Sequence, residues 1–159
     1  MDRLEQGWRL LPIQIKAIVL LQVIGAIWML FYLQTTNALL LVSLAIPFSG
    51  AALGAYLLVQ QRSLGRILTL ISLALQIPLL WGNGISWEHY LGFTMSAAYH
   101  ETLTFNFEFG ASLYFQTLVN DQTFGVGINF VALWAFFKVL DWSPREIPSE
   151  SAIVSPDVP

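Results

Sequence analysis

Cysteine is absent from this chain of 159 residues. Disulfides, thiol catalysis, iron–sulfur clusters and cysteine-ligated zinc are excluded with it. Charge is scarce: Asp, Glu, Lys and Arg make up 11% of the chain, against about 25% in ordinary globular domains. The net charge of −3 comes without a basic cluster, so nucleic acid is not an expected partner. There are two histidines, His89 and His100, and they form neither an H-E-x-x-H motif nor an i, i+4 pair. No metal site and no cofactor is expected from them. The serines Ser86, Ser96 and Ser112 lack a G-x-S-x-G elbow, and Asp121 near them is no more than a chance acidic neighbour. No catalytic residue is assigned.

What the chain has in excess is apolar surface, at 56% hydrophobic residues. Four apolar runs stand out, at about 11–33, 38–59, 67–82 and 124–140. The first two, at 1.5 Å per residue, reach about 33 Å, enough for a bilayer, and the last two about 24–26 Å. The first run has no A-x-A cleavage site near Thr35–Asn37, so it reads as a retained helix rather than a cleaved leader. All seven basic residues fall in three blocks: Arg3, Arg9 and Lys16; Arg62 and Arg66; Lys138 and Arg145. The turn Gln34–Asn37 and the stretch 83–123 contain none. The positive-inside rule then predicts an α-helical integral membrane protein of four transmembrane helices. It would be a multi-pass chain of a plasma membrane or bacterial inner membrane, with both termini cytoplasmic and the lipid bilayer as a partner.

The stretch 83–123 has a different period. From Ile85 to Tyr99 the odd positions are mostly apolar and the even ones mostly polar. The pattern returns at Thr102–Phe109, where Leu103, Phe105, Phe107 and Phe109 alternate with Thr104, Asn106 and Glu108. Period two signals strands with one buried face. An antiparallel β-hairpin turning near Ala98–Glu101 would put both odd sets on that face. A third strand, Leu113–Val119, is predicted after the Gly110–Ala111–Ser112 break. Half of the aromatic residues lie between Trp81 and Phe124, which suits a short external β-sheet capping the helix ends. A helix over Ile85–Tyr99 is the alternative. Residues 1–141 thus read as one membrane domain, and 142–159, with Pro144, Pro148, Pro156 and Pro159 among Ser and Glu, as a disordered cytoplasmic tail.

Two features invite a binding role. In the second run, Gly50-x-x-x-Gly54 overlaps Ala51-x-x-x-Ala55, a small-residue face for close helix packing. It suits a membrane-protein partner, self-association, or packing within the chain. Gln22, Gln76 and Asn129 are amides inside apolar runs, and an amide away from water needs a partner. Gln76 and Asn129 are either a weak ligand-binding pair or bonded to each other. The layout resembles that of the tetraspanins, whose cysteine motif is missing here. A sheet over four helices is similar to claudin-like proteins, whose Trp–Gly–Leu–Trp motif the stretch Trp81–Trp87 does not match. Neither resemblance transfers a residue role. The expected function is a small non-enzymatic accessory or subunit-like module docking on another membrane protein. The alternatives are a binder of lipid or another apolar molecule, or an enzyme using the external His and Glu residues.

Overall fold

The structure is a computed structural model that describes residues 3–32, 38–82, 85–117 and 124–145. Along the chain come α1 (Arg3–Leu10), α2 (Ile13–Tyr32), α3 (Ala38–Val59) and α4 (Ser63–Gln76), then β1 (Pro78–Trp81), β2 (Ile85–His100), β3 (Thr102–Thr117) and β4 (Gly125–Asn129), and last α5 (Phe130–Asp141). The strands form one antiparallel sheet in the order β1-β4-β2-β3.

This architecture corrects the predicted four-helix membrane bundle. Over the described residues, no helix is long and apolar enough to cross a membrane. The third and fourth predicted spans fail for a visible reason. The apolar run after Gln76 leaves the helix and enters β1 at Pro78, whose missing N–H and fixed φ do not extend a helix. The run beginning at Phe124 is strand through Asn129 before α5 starts. Helices of 14 and 12 residues remain, about 21 and 18 Å long against a hydrocarbon layer of about 30 Å. β1 and β4 pair with each other from Pro78↔Ile128 to Trp81↔Gly125. The ends of the two runs expected to be helix are therefore mutual strand partners. The multi-pass localisation and its cytoplasmic termini fall with the same finding. The predicted turn at Gln34–Asn37, Asp121 and the tail beyond Arg145 lie outside the described residues.

The helices pack around a core of Leu11, Ile15, Ile18, Val19, Ala55, Leu58, Leu73, Ala135 and Val139, and a second cluster of Phe48, Ala51, Leu91 and Ala111 joins α3 to the sheet. At one pole the three basic blocks meet. Gln61 ends α3 with a positive φ of 60°. Its N–H donates to Leu58 O, and the Arg62 N–H to Leu57 O, the paired bonds of a Schellman cap that usually uses glycine. The glutamine side chain joins two other segments: Nε2 donates to Gly7 O and Oε1 accepts from Arg145 N–H, 3.1 and 3.0 Å. Arg66 donates to the carbonyls of Val139 and Leu140 at the end of α5, where a cation also complements the helix dipole. The one-sided basic residues thus meet at a pole that ties α1, the α3–α4 turn and α5 together.

The sheet occupies the opposite pole. β2 pairs with β3 over its whole length, from Ile85↔Thr117 to His100↔Thr102, through a turn at Glu101. This matches the period-two reading of Ile85–Tyr99 and Thr102–Phe109 as an antiparallel hairpin. The separate third strand is corrected, because β3 runs unbroken through Gly110–Ala111–Ser112 to Thr117.

The buried face is corrected as well. β1 is antiparallel to β2 and to β4, and β4 is antiparallel to β2. Three straight strands cannot all oppose one another, so β2 must turn between Trp87, which faces β1, and Ser96, which faces β4. Gly92, at φ +82°, lies between them, and its cross-strand partner Gly110 sits at φ +138°. The left-handed region favours glycine. The inward-facing set changes there: His89 and Leu91 are buried before the bend, Thr94, Ser96 and Ala98 after it. The odd face of the hairpin tip is consequently outside.

Candidate functional site

Three places hold the polar or exposed groups that binding or chemistry would use. The first is the junction of α2, α4, α5 and β2. Gln76 is 3% exposed. Its Oε1 accepts the Leu91 N–H at 2.9 Å, and its Nε2 donates to the Ser72 carbonyl and hydroxyl at 3.1 and 3.3 Å. The main-chain donor of β2 next to the bend is thereby satisfied from α4. Asn129 is equally buried, but it is spent locally. Its Oδ1 accepts from the N–H groups of Val131 and Ala132, 3.1 and 3.2 Å, capping α5, and its own N–H donates to Ile77 O. The two weak ligand candidates therefore do not bond each other. Gln22, the third amide, lies at 2% exposure with neither side-chain atom partnered. Its position in an apolar run was the one sequence signal pointing to it.

The second place is the niche of His89. The ring is fully buried, edge-on to Phe48 and Trp87 with centroids 5.5 and 6.2 Å away. Nδ1 lies 3.0 Å from the Ser112 carbonyl oxygen. A carbonyl only accepts, so Nδ1 carries the proton. Burial holds the imidazole below its ordinary pKa of 6.5, with the Ser112 bond acting in the other direction. The serine contact is to main chain and not to a hydroxyl, so no nucleophile is activated there. Adjacent Glu88 is raised above 4.5, by burial first and then by the Glu108 carboxylate. In a straight ladder Glu108, the partner of Thr94, would stand six rungs from Glu88, about 20 Å away. The bend at Gly92 shortens that path. Among the described residues no group of three His, Cys, Asp or Glu is placed to hold a metal.

The third place is the hairpin tip. Leu103, Phe105, Phe107 and Phe109 share one strand face and are 58% to 66% exposed, with Tyr99 at 58% beside them. The period-two pattern predicts these rings on the buried face of a cap over the helix ends, and they are exposed instead. They lie on the far side of the bend and project from the body. Trp28 of α2 closes the base of the face, edge-on to Phe109 at 6.0 Å. β3 is the outer strand of the sheet.

The small-residue stripe of α3 is used mostly inside the chain. Ala51 and Ala55 are fully buried, and a Cβ on Gly54 would stand 3.0 Å from Thr69 Oγ1 and 3.1 Å from Thr69 N. Gly54 therefore sets the α3–α4 spacing, while a Cβ on Gly50 would meet nothing within 4 Å.

No protein-family model, curated protein or solved structure matches this chain. Function therefore rests on the geometry.

Proposed function

We propose that this protein is a non-enzymatic docking module, accessory or subunit-like, whose hairpin tip is the docking element. The supporting observation is the outward row Leu103, Phe105, Phe107 and Phe109. Contiguous exposed apolar side chains mark interaction surfaces, and aromatic rings dominate the energetics of such surfaces. The class of partner follows from the backbone. An outer strand presents unpaired N–H and C=O groups, and a partner strand satisfies them while its side chains meet the rings. Lipid offers those groups no hydrogen bond, so a protein partner fits the tip better.

A second reading, contact with lipid, draws on the helices. Ile24, Ile27, Leu53, Ile67, Ile71 and Phe137 are 39% to 53% exposed on four different helices, and a bilayer is the partner their chemistry suits.

The double variant Phe105→Ser/Phe107→Ser separates these readings. Its side chains are already exposed, so its circular dichroism should match wild type. A companion protein copurifying in mild detergent should be lost from this variant and kept by Gly50→Leu. If the companion stays bound to the Ser variant, the hairpin tip is not the docking element. Unchanged flotation of that variant with neutral vesicles would assign lipid contact to the helices.

A further inference from the structure

Apart from the hairpin tip, the molecule contains a cavity of about 20 Å³. Gln22, Leu73, Gln76, Leu91, Phe93 and Val131 are among its walls. Gln22 decides its chemistry. The carboxamide carries two N–H donors and a carbonyl acceptor, and both of its polar atoms are buried without a partner. Leaving a buried amide unsatisfied is costly, and Gln76 offers no relief because its own amide is engaged at both ends.

The missing partner must accept from Nε2 and donate to Oε1. A hydroxyl does both at once, closing a ring with the amide. Size agrees, since a cavity needs about 10–15 Å³ to hold one water-sized group. Charge agrees as well. The residues lining the cavity include no charged side chain, so a carboxylate or ammonium would be buried unpaired. The cavity is partly open, and Phe93, 38% exposed, is the wall residue nearest to solvent. An apolar tail attached to the hydroxyl would meet the apolar side chains of the wall, Phe93 among them.

We propose that this cavity is a hydroxyl-binding site built on Gln22. The hydroxyl belongs either to a resident water or to the end of an apolar alcohol. The site is independent of the hairpin tip, and Phe105→Ser/Phe107→Ser should leave it unchanged.

Two measurements on the purified full chain test it. In thermal unfolding, 1-octanol is compared with n-octane at matched saturation, for wild type and Gln22→Leu. An alcohol site raises the wild-type melting temperature by about 3 °C more with octanol than with octane. That difference disappears in Gln22→Leu. A resident water shows no octanol preference, but it gives a cross-peak between the Gln22 side-chain amide protons and a long-lived water in the nuclear magnetic resonance spectrum of wild type. Either result supports the site and names its occupant. Absence of both overturns it. The spectrum needs wild type alone, so the proposal remains testable if Gln22→Leu does not fold.

Discussion

Replacing Gly92 by alanine tests the bend on which the sheet and both of its faces depend. Two costs add. An L-residue at φ +82° loses about 1–2 kcal/mol to the clash between Cβ and its own backbone. The new Cβ would also stand 2.7 Å from Leu21 O and 3.0 Å from Leu21 Cβ. The first of these is main chain of α2, which cannot swing aside, and such overpacking costs about 1–3 kcal/mol. The sum, about 2–5 kcal/mol, is a large part of the 5–15 kcal/mol that holds a domain together. Gly25→Ala is the control, since it faces the same contact from the helix side, 2.7 Å from Gly92 N and 2.9 Å from Leu91 Cδ2. It carries no left-handed strain and gains about 1 kcal/mol of helix propensity. Urea unfolding followed by tryptophan fluorescence should rank the variants wild type, Gly25→Ala, Gly92→Ala in falling stability. An alanine at 92 that costs no more than one at 25 would refute the left-handed bend and the face switch derived from it.

Three other outcomes follow from single contacts. Gln76→Leu strands the buried Leu91 N–H and should lose about 1–3 kcal/mol in the same assay, while Asn106→Ala, at an exposed position, stays within about 0.5 kcal/mol of wild type. His89 has a folded-state pKa below its ordinary 6.5, so the unfolded chain binds the extra proton first and stability falls as pH drops below 6.5. Denaturant midpoints from pH 7.5 to 5 should show that fall, flattened in His89→Gln; a slope unchanged by the substitution would remove His89 as its source. Glu101, exposed at the hairpin turn with φ 58°, is a non-glycine in the left-handed region. Glu101→Gly should raise the unfolding free energy by about 1 kcal/mol, and a loss instead would show that the carboxylate serves the turn.

The exposure of the hairpin-tip rings comes into view only through the bend. In the sequence, Phe105 and Phe107 alternate with Thr104 and Asn106 in the manner of a strand with one buried face. Gly92 and Gly110 turn that face away from the helices. The rings keep the predicted pairing, Met95↔Phe107 and Ala97↔Phe105, and lose the predicted burial. The amides show the same division. That Gln22, Gln76 and Asn129 needed partners was legible from their apolar surroundings. That Gln76 would find Leu91 and that Gln22 would find no partner among the described residues was not, because Leu91, lying 15 residues beyond Gln76, reaches it only after β2 has packed on α4.

What the amino-acid order determined by itself was local and periodic. Alternation over Ile85–Tyr99 and Thr102–Phe109 specified two strands and the turn between them, because side chains on a pleated chain alternate between two faces. The three blocks of basic residues predict a cytoplasmic membrane face, and the structure gives instead a pole that ties α1, the α3–α4 turn and α5 together. Tertiary structure decided the rest. A short apolar run such as Ile77–Trp81 is compatible with helix or strand, and it became β1 because β4, some 45 residues later, supplied its hydrogen bonds. The same pairing shortened α4 and α5 below a membrane span and removed the four-helix bundle. Neither outcome can be read from a window of neighbouring residues, because the deciding hydrogen bonds join segments that are distant in sequence.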